Sequence, residues 1–389
     1  MPTRAGRRSH WIVVATSLAV AATATVVAVH AEPPAKSAAA VHAGGASAAP
    51  KSSPTPTSSG PHLLSFGVAY GAALLSESDK ALGKSLDDAV ALGAKWVRTD
   101  LPWDLVQPSG PNQYDWQSVD RVVTAANKRG LKILPILDDP PFWARTKSCQ
   151  TQVNCPPASD SAYAHFAAVA SARYAPRGLH TWEIWNEPNI PVWLPKPDPA
   201  AYEKLLAATS TALRKADSHA FIVLGGLAAV PTQPSINYVS PFDFLTAVAA
   251  LGGTKYVNAV GYHPYSLPTL PSVAANFQLI SSSRDNLVAV LQKYGTPDVS
   301  IWLTESGAQV SEALNAQVTD PLALQAAYAT DLVQTVALNG HVGADFWFSD
   351  EDFPKAGLLY GLRDGGGKLR PAFNALKTAI ASCGCNSKQ

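Results

Sequence analysis

Charge is scarce in this chain. Only 15% of its 389 residues are Asp, Glu, Lys or Arg, and the two signs cancel to a net +1. Such a balance points to no nucleic-acid partner and to no electrostatically held membrane surface. Cysteine is scarce too: Cys149, Cys155, Cys383 and Cys385 are all there is. They lack the paired CxxC spacing or neighbouring His that a metal site needs, so neither a metal nor a cofactor is expected. The first β-type run is followed by Gly67-Val-Ala-Tyr-Gly71 rather than GxGxxG, which counts against an open dinucleotide-binding sheet. A Gly-x-Ser-x-Gly elbow is missing, which counts against a serine hydrolase. No solenoid repeat is present.

What is abundant is apolar. Hydrophobic residues make up 47% of the chain, enough for a substantial core, and ten of them are Trp. Flat apolar rings suit sugar faces as well as cores. Near the N-terminus Arg4, Arg7 and Arg8 precede an uncharged run from Trp11 to Val29, followed by the small-residue site Val29-His30-Ala31. Residues 1–31 therefore read either as a cleaved export signal or as an uncleaved membrane tether through 11–29. Both readings put the folded part outside the cytoplasm. Residues 32–60 are rich in Ala, Pro, Ser and Thr with almost no large apolar residue, a composition that cannot offset the entropy of ordering and reads as a disordered stalk. Export permits disulfides: Cys149 with Cys155 is the simplest pairing, and a Cys383–Cys385 ring would be strained.

From residue 61 to about 383, short apolar runs alternate with amphipathic Ala/Leu-rich segments. The strand candidates are Ser65–Tyr70, Trp96–Asp100, Lys132–Leu137, Thr181–Asn186, Phe221–Gly225, Ala259–Tyr262, Ser300–Glu305 and Gly343–Phe348. Continuous apolar runs of this length suit strands covered on both faces. Helices are expected at Leu82–Leu92, Gln117–Lys128, Ser161–Arg173, Ala200–Lys215, Arg284–Lys293 and Leu322–Leu338. Asp198-Pro199 and Asp320-Pro321 each set a capping carboxylate before a Pro at the first helical position. Eight strand–helix units predict an α/β fold, a closed (β/α)8 barrel as one catalytic domain, with residues 384–389 as a tail.

In such a barrel the functional residues sit at the C-terminal strand ends. The fourth strand runs into Trp185-Asn186-Glu187-Pro188, and the seventh ends Thr304-Glu305. Cleaving a glycosidic bond needs a protonated carboxyl at the leaving oxygen and an ionised one at the anomeric carbon. Strands 4 and 7 of a barrel face each other across its mouth, so Glu187 and Glu305 can flank one bond.

These motifs resemble the glycoside hydrolase clan GH-A, in particular its families 39 and 5, over about residues 65–380. The resemblance implies a retaining β-glycosidase with Glu187 as acid/base and Glu305 as nucleophile, acting on a polysaccharide or glycoconjugate. It also implies that Asn186 binds the sugar 2-hydroxyl, that Tyr265 of His263-Pro264-Tyr265 holds Glu305, and that His263 lines the site. Arg98 would then neutralise the nucleophile, and Trp347 would form a sugar platform followed by a cis peptide to Phe348. In this scheme the negative charge of Glu305 raises the pKa of Glu187, with the carboxyl groups roughly 5–5.5 Å apart.

Other residues carry two readings. Asp139, in Asp138-Asp139-Pro140-Pro141, binds a substrate hydroxyl or turns the chain. Trp143, with Trp103, Trp185 and Trp193, stacks on sugar or fills core. Arg98 has Asp100 as a rival partner. Glu183 reads as barrel packing, Asp350-Glu351-Asp352 as solvated surface, and Gly365–Gly367 as a loose turn. A sugar-binding protein without turnover is the rival to an enzyme, and the paired carboxylates with Asn186, Tyr265 and Arg98 argue against it. Nothing suggests assembly beyond a monomer. Ala-rich, Lys-poor helices hint at a GC-rich bacterial source, which makes wall or capsule glycans candidate substrates.

Overall fold

The computed structural model describes residues 64–152, 154–191, 196–311 and 318–385. The expected export segment and stalk, Trp193 and the last four residues lie outside them. Eight parallel strands close into a barrel in the order of the chain. They are β1 (Ser65–Ala69), β2 (Trp96–Pro102), β3 (Lys132–Asp138), β4 (Thr181–Ile184), β5 (Phe221–Ala228), β6 (Ala259–His263), β7 (Ser300–Ser306) and β8 (Val342–Phe348). Each is followed by a principal helix: α1 (Asp79–Leu92), α2 (Gln117–Asn127), α3 (Asp160–Tyr174), α4 (Pro199–Ala216), α5 (Pro241–Ala250), α6 (Leu287–Lys293), α7 (Pro321–Ala337) and α8 (Pro371–Ser382). All eight expected strands and all six named helices are found, with ends displaced by one to three residues. The strand after Thr181 stops at Ile184, because Trp185 adopts φ 70° and leaves the ladder.

The period-2 alternation of the strands builds two cores. Ala69, Leu134, Val223, Ala259, Ala344 and Phe346 fill the barrel interior. Val68, Val97, Leu137, Trp182, Ile184 and Trp347 face the helices in a larger outer shell. Burying an aliphatic or aromatic side chain is worth roughly 1.5–3 kcal/mol, so this double-sided burial explains why the strands read as continuous apolar runs. The caps form as expected. Asp198 accepts from the amides of Ala200 and Ala201, and Asp320 from that of Ala323.

Buried tyrosines of the helix layer pin the strand ends beneath the barrel mouth. Tyr163 of α3 donates to the carbonyl of Leu137. Tyr202 of α4 donates to Ile184 at 2.8 Å and accepts from Gly225 N–H at 2.9 Å. Buried hydroxyls of this kind are satisfied and directional, so they fix where β3, β4 and β5 end. The Cys149–Cys155 disulfide forms in the loop between β3 and α3, and Cys383 pairs with Cys385.

One surface reading needs correction and another holds. Asp350 and Asp352 are 6% and 8% exposed rather than solvated. The reason is long-range: Arg370 from the start of α8 grips both oxygens of Asp352, which also accepts from Gly361 N–H. Gly365–Gly367 does form a turn, closed by Asp364, which accepts from the amides of Gly366 and Lys368.

Candidate active site

The C-terminal strand ends open into a cleft of about 850 Å³, with Asn186 and Glu305 on its wall. Glu187 and Glu305 are 1% and 3% exposed. Glu305 is the penultimate residue of β7. Glu187 follows β4 in a backbone held far from helix or sheet, at φ 46°. A non-glycine residue there costs of order 1–3 kcal/mol, and the surrounding structure must impose it. Its amide donates to Gly226 O at 2.9 Å. Gly226 in turn must be glycine: an added Cβ would lie 2.0 Å from His263 Nε2.

One imidazole joins the two carboxyl groups. His263 Nδ1 is 3.0 Å from Glu187 Oε1 and 3.9 Å from Glu305 Oε2, and its Nε2 bonds the Thr304 hydroxyl at 3.0 Å. Burial lowers the His263 pKa, with the Glu187 carboxylate pulling the other way, so a neutral ring is favoured. His263 is wholly buried, so it lies behind the site and positions Glu187 rather than lining the cleft.

Glu305 is gripped from both sides. Arg98 donates to its Oε1 at 2.7 Å and Tyr265 to its Oε2 at 2.8 Å. Arg98 also donates to both oxygens of Glu183, at 2.6 and 3.2 Å, and to Asn186 Oδ1 at 2.8 Å. The rival pairing of Arg98 with Asp100 is not the one adopted: its donors go to Glu183, Glu305 and Asn186. Glu183 does point into the barrel, but as an ion-pair partner rather than mere packing. It also accepts from Gly226 N–H at 2.9 Å, so it ties the arginine beside Glu305 to the strand that supports Glu187. The sequence offered one signal for this, an acidic residue in an otherwise apolar strand.

Burial is the largest influence on both carboxyls and raises both. For Glu305, Arg98 and the Tyr265 hydroxyl pull back toward ionisation. For Glu187, His263 pulls back, while the Glu305 charge pushes further up. The charge of Glu305 thus acts as expected but is secondary to desolvation. Burial also drives the Tyr265 hydroxyl up, with the Glu305 charge adding to it, so the phenol stays a donor. Glu305 is the carboxyl with a guanidinium donor, and Glu187 is the one whose side-chain partner is an imidazole.

The aromatic expectations fail by one residue, twice. Trp347 is 1% exposed and packs edge-on against Tyr328 of α7, with its Nε1 on the Tyr360 carbonyl. Strand alternation turns it outward, and Phe348 reaches the cleft instead. The cis peptide likewise joins Phe348 to Ser349, not Trp347 to Phe348. Trp143 packs edge-on against Trp103 and donates to Gln107 O at 2.8 Å, while Phe142, 59% exposed, lines the cleft. Trp103 and Trp185 are buried as well. Asp139 does line the cleft, at φ 45°, together with Asp100, Asp104 and Asp138. The sequence marks Asp138 alongside Asp139, and Asp100 only as a partner for Arg98; it does not mark Asp104.

Comparisons with known proteins agree with this geometry. A model of the family described as cellulase, glycosyl hydrolase family 5, matches residues 70–347. A family 39 glycoside hydrolase from the gut symbiont Bacteroides cellulosilyticus WH2 superposes with a TM-score of 0.65 at 20% identity. The match covers 83% of this chain and 64% of that enzyme's length. A monomeric β-xylosidase from Caulobacter crescentus CB15 gives 0.61 at 16% identity, over 81% of this chain and 67% of that one. A family 5, subfamily 18 enzyme from Streptomyces cattleya, solved with GlcNAc, gives 0.61 at 18% identity, over 83% and 81%. A search of curated proteins finds no match. The matched span runs from the end of β1 into β8 and contains both carboxylates: the chain belongs to glycosyl hydrolase family 5, and is a glycosidase on a (β/α)8 barrel.

Proposed function

We propose that the protein is an extracytoplasmic retaining β-glycosidase that cleaves a polysaccharide or glycoconjugate, acting as a monomer held on, or released from, the cell surface by its N-terminal segment. The observation that carries the reading is the bridged pair. Glu187 and Glu305 end opposite strands, share one imidazole, and differ in their partners. The two distances from His263 Nδ1 put Glu187 Oε1 and Glu305 Oε2 no more than about 7 Å apart, a bound that admits the roughly 5–5.5 Å spacing of retaining enzymes.

In the first step Glu187 gives its proton to the glycosidic oxygen while Glu305 attacks the anomeric carbon, the carbon–oxygen bond breaks, and the aglycone leaves as an alcohol. The glycosyl ester formed on Glu305 carries no charge. Its loss of charge removes one of the forces that kept Glu187 protonated. Glu187 then takes a proton from water as that water attacks the anomeric carbon, releasing Glu305 as a carboxylate. Asn186 would bind the sugar 2-hydroxyl, a role supported by its bond from Arg98 and its position on the cleft wall. The experiment is NMR of the first-formed product from a β-glycoside substrate. The β-anomer appearing first supports the reading; the α-anomer appearing first removes the retaining mechanism.

A further inference from the structure

The cleft beside Glu305 is lined by more carboxyl groups than glycosidic chemistry uses. Asp100 of β2, Asp104 just after it, Asp138 at the end of β3 and Asp139 following it share one wall of the cleft. The cation on that wall, Arg145, is committed to its own loop. It donates to the carbonyls of Pro140 at 2.7 Å and Gln152 at 3.0 Å, and stands 3.7 Å from Asp104. Arg98 gives its donors to Glu183, Glu305 and Asn186.

A second observation points to a missing partner. Asp138 is 9% exposed and lines the cleft, and its buried Oδ1 has no hydrogen-bond donor among the described residues. A buried acceptor left unsatisfied is costly, and a site that buries one is short of a donor. Among the described residues no three His, Cys, Asp or Glu side chains converge closely enough to hold a metal ion, so a divalent cation does not fit. A neutral hydroxyl would satisfy Asp138 but would leave the mutual repulsion of the carboxylates in place. A protonated amine supplies both donors and charge.

Resting on the glycosidase reading, we infer that this wall is a subsite for a sugar bearing a free, protonated amine, so that the substrate class is a de-N-acetylated, cationic glycan. The acids of this wall repel one another, and such a ligand would relieve that repulsion. Burial pushes Asp139 up to about 8, with Asp104 and Asp100 adding to it and Arg145 opposing. Burial likewise pushes Asp100 up to about 7, with Arg98 opposing and Glu305 and Glu183 adding. Asp138 is raised by burial and by Asp139, Asp100 and Asp104, with Arg98 opposing. An arriving ammonium therefore displaces protons from these carboxyls, and binding is coupled to proton release.

The test is calorimetric titration of the full-length protein at neutral pH with matched β-linked disaccharides of gluco, galacto and manno configuration. Each set carries a free amine, an N-acetyl group or a hydroxyl at carbon 2. We expect at least one free-amine sugar to bind about tenfold or more tightly than both of its matched partners. Its apparent enthalpy should change with the ionisation enthalpy of the buffer, reporting released protons, and salt should weaken it. Asp138→Asn and Asp139→Asn, checked for folding by near-ultraviolet circular dichroism, should each erase most of that preference. If no amine-bearing sugar outbinds its matched partners, including the case where none binds, the inference is overturned. A glycosyl adduct on Glu305 from a neutral fluoro-sugar, without amine preference, would keep the glycosidase reading and remove this one. Amine preference without any adduct would do the reverse.

Discussion

Replacing Arg98 with Gln tests the ion network that the site is built on. Arg98 is 1% exposed and neutralises two buried carboxylates, Glu183 and Glu305. Burial by itself would lower its pKa, but the two carboxylates more than offset that, and it stays charged. Removing one partner from a buried ionic cluster leaves uncompensated charge, at a cost of about 3–5 kcal/mol. For a domain of this size that corresponds to a fall of roughly 6–12 °C in melting temperature.

The sign of the pH dependence follows from the carboxyl groups. Without Arg98, the pKa of Glu305 rises further above its value in the unfolded chain. A carboxyl so raised favours the folded state when protonated, and the benefit fades as pH climbs from the unfolded toward the folded value. The deficit of Arg98→Gln relative to wild type should therefore be larger at about pH 8 than at about pH 5. In the pH–rate profile the acidic limb should move to higher pH, and kcat/KM should fall roughly 10- to 100-fold for the lost charge-assisted bond. Denaturant melts of Arg98→Gln, Glu183→Gln and the double variant close a thermodynamic cycle. The double should be more stable than the two losses summed, because Glu183→Gln removes a charge that Arg98→Gln orphaned. Additive losses with no pH dependence would refute the network.

Further outcomes follow from the same geometry. Removing the proton donor with Glu187→Ala should slow substrates with poor leaving groups by about 100-fold or more and spare activated aryl glycosides, with azide restoring turnover as a β-glycosyl azide; no rescue would count against Glu187 as acid/base. Tyr265→Phe loses one hydrogen bond to Glu305 and should cost about tenfold in kcat/KM with a stability change near 1 kcal/mol; equal rates would place Tyr265 outside the nucleophile's support. Phe142→Ala should weaken substrate binding with little effect on melting temperature, while Trp143→Ala should destabilise by about 2–4 kcal/mol; the opposite assignment would reverse the correction made above. Asp100, Asp139, Asp345 and Asp350 have folded pKa values pushed up by burial, to about 7, 8, 7 and 7. The folded state thus binds more protons than the unfolded one above the ordinary carboxylate range, and the ligand-free protein should melt at lower temperature at about pH 8.5 than at about pH 5.5. A rise in melting temperature over that interval would contradict the burial of these acids.

The fold was legible because a (β/α)8 barrel repeats a local pattern. Each strand is apolar on both faces, and each helix carries its own caps, as at Asp198 and Asp320. Glu187 and Glu305 were legible for the same reason, since strand order alone sets them across the mouth. What the sequence concealed depends on facing direction and on partners distant in the chain. Trp347 and Trp143 were chosen by residue type, yet period-2 alternation sends Phe348 inward beside one, and packing on Trp103 takes up the other. Glu183 looked like core until Arg98, a strand away from it on each side of β3, turned it into half of an ion pair. The acidic wall was divided among Asp100, Asp104, Asp138 and Asp139 on two separate strand ends, which only the β2–β3 register brings together. Asp352 seemed solvated because its partner Arg370 lies beyond the following loop.

The central claim is that Glu305 becomes covalently bonded to the sugar. The protein should be incubated with a panel of activated 2-deoxy-2-fluoro-β-glycosides and its intact mass recorded, with the adduct then mapped by peptide sequencing. The account predicts one added glycosyl group, located on Glu305, that forms in wild type and not in Glu305→Gln. An adduct on another carboxylate, or steady turnover of these sugars with inversion and no adduct, would contradict it.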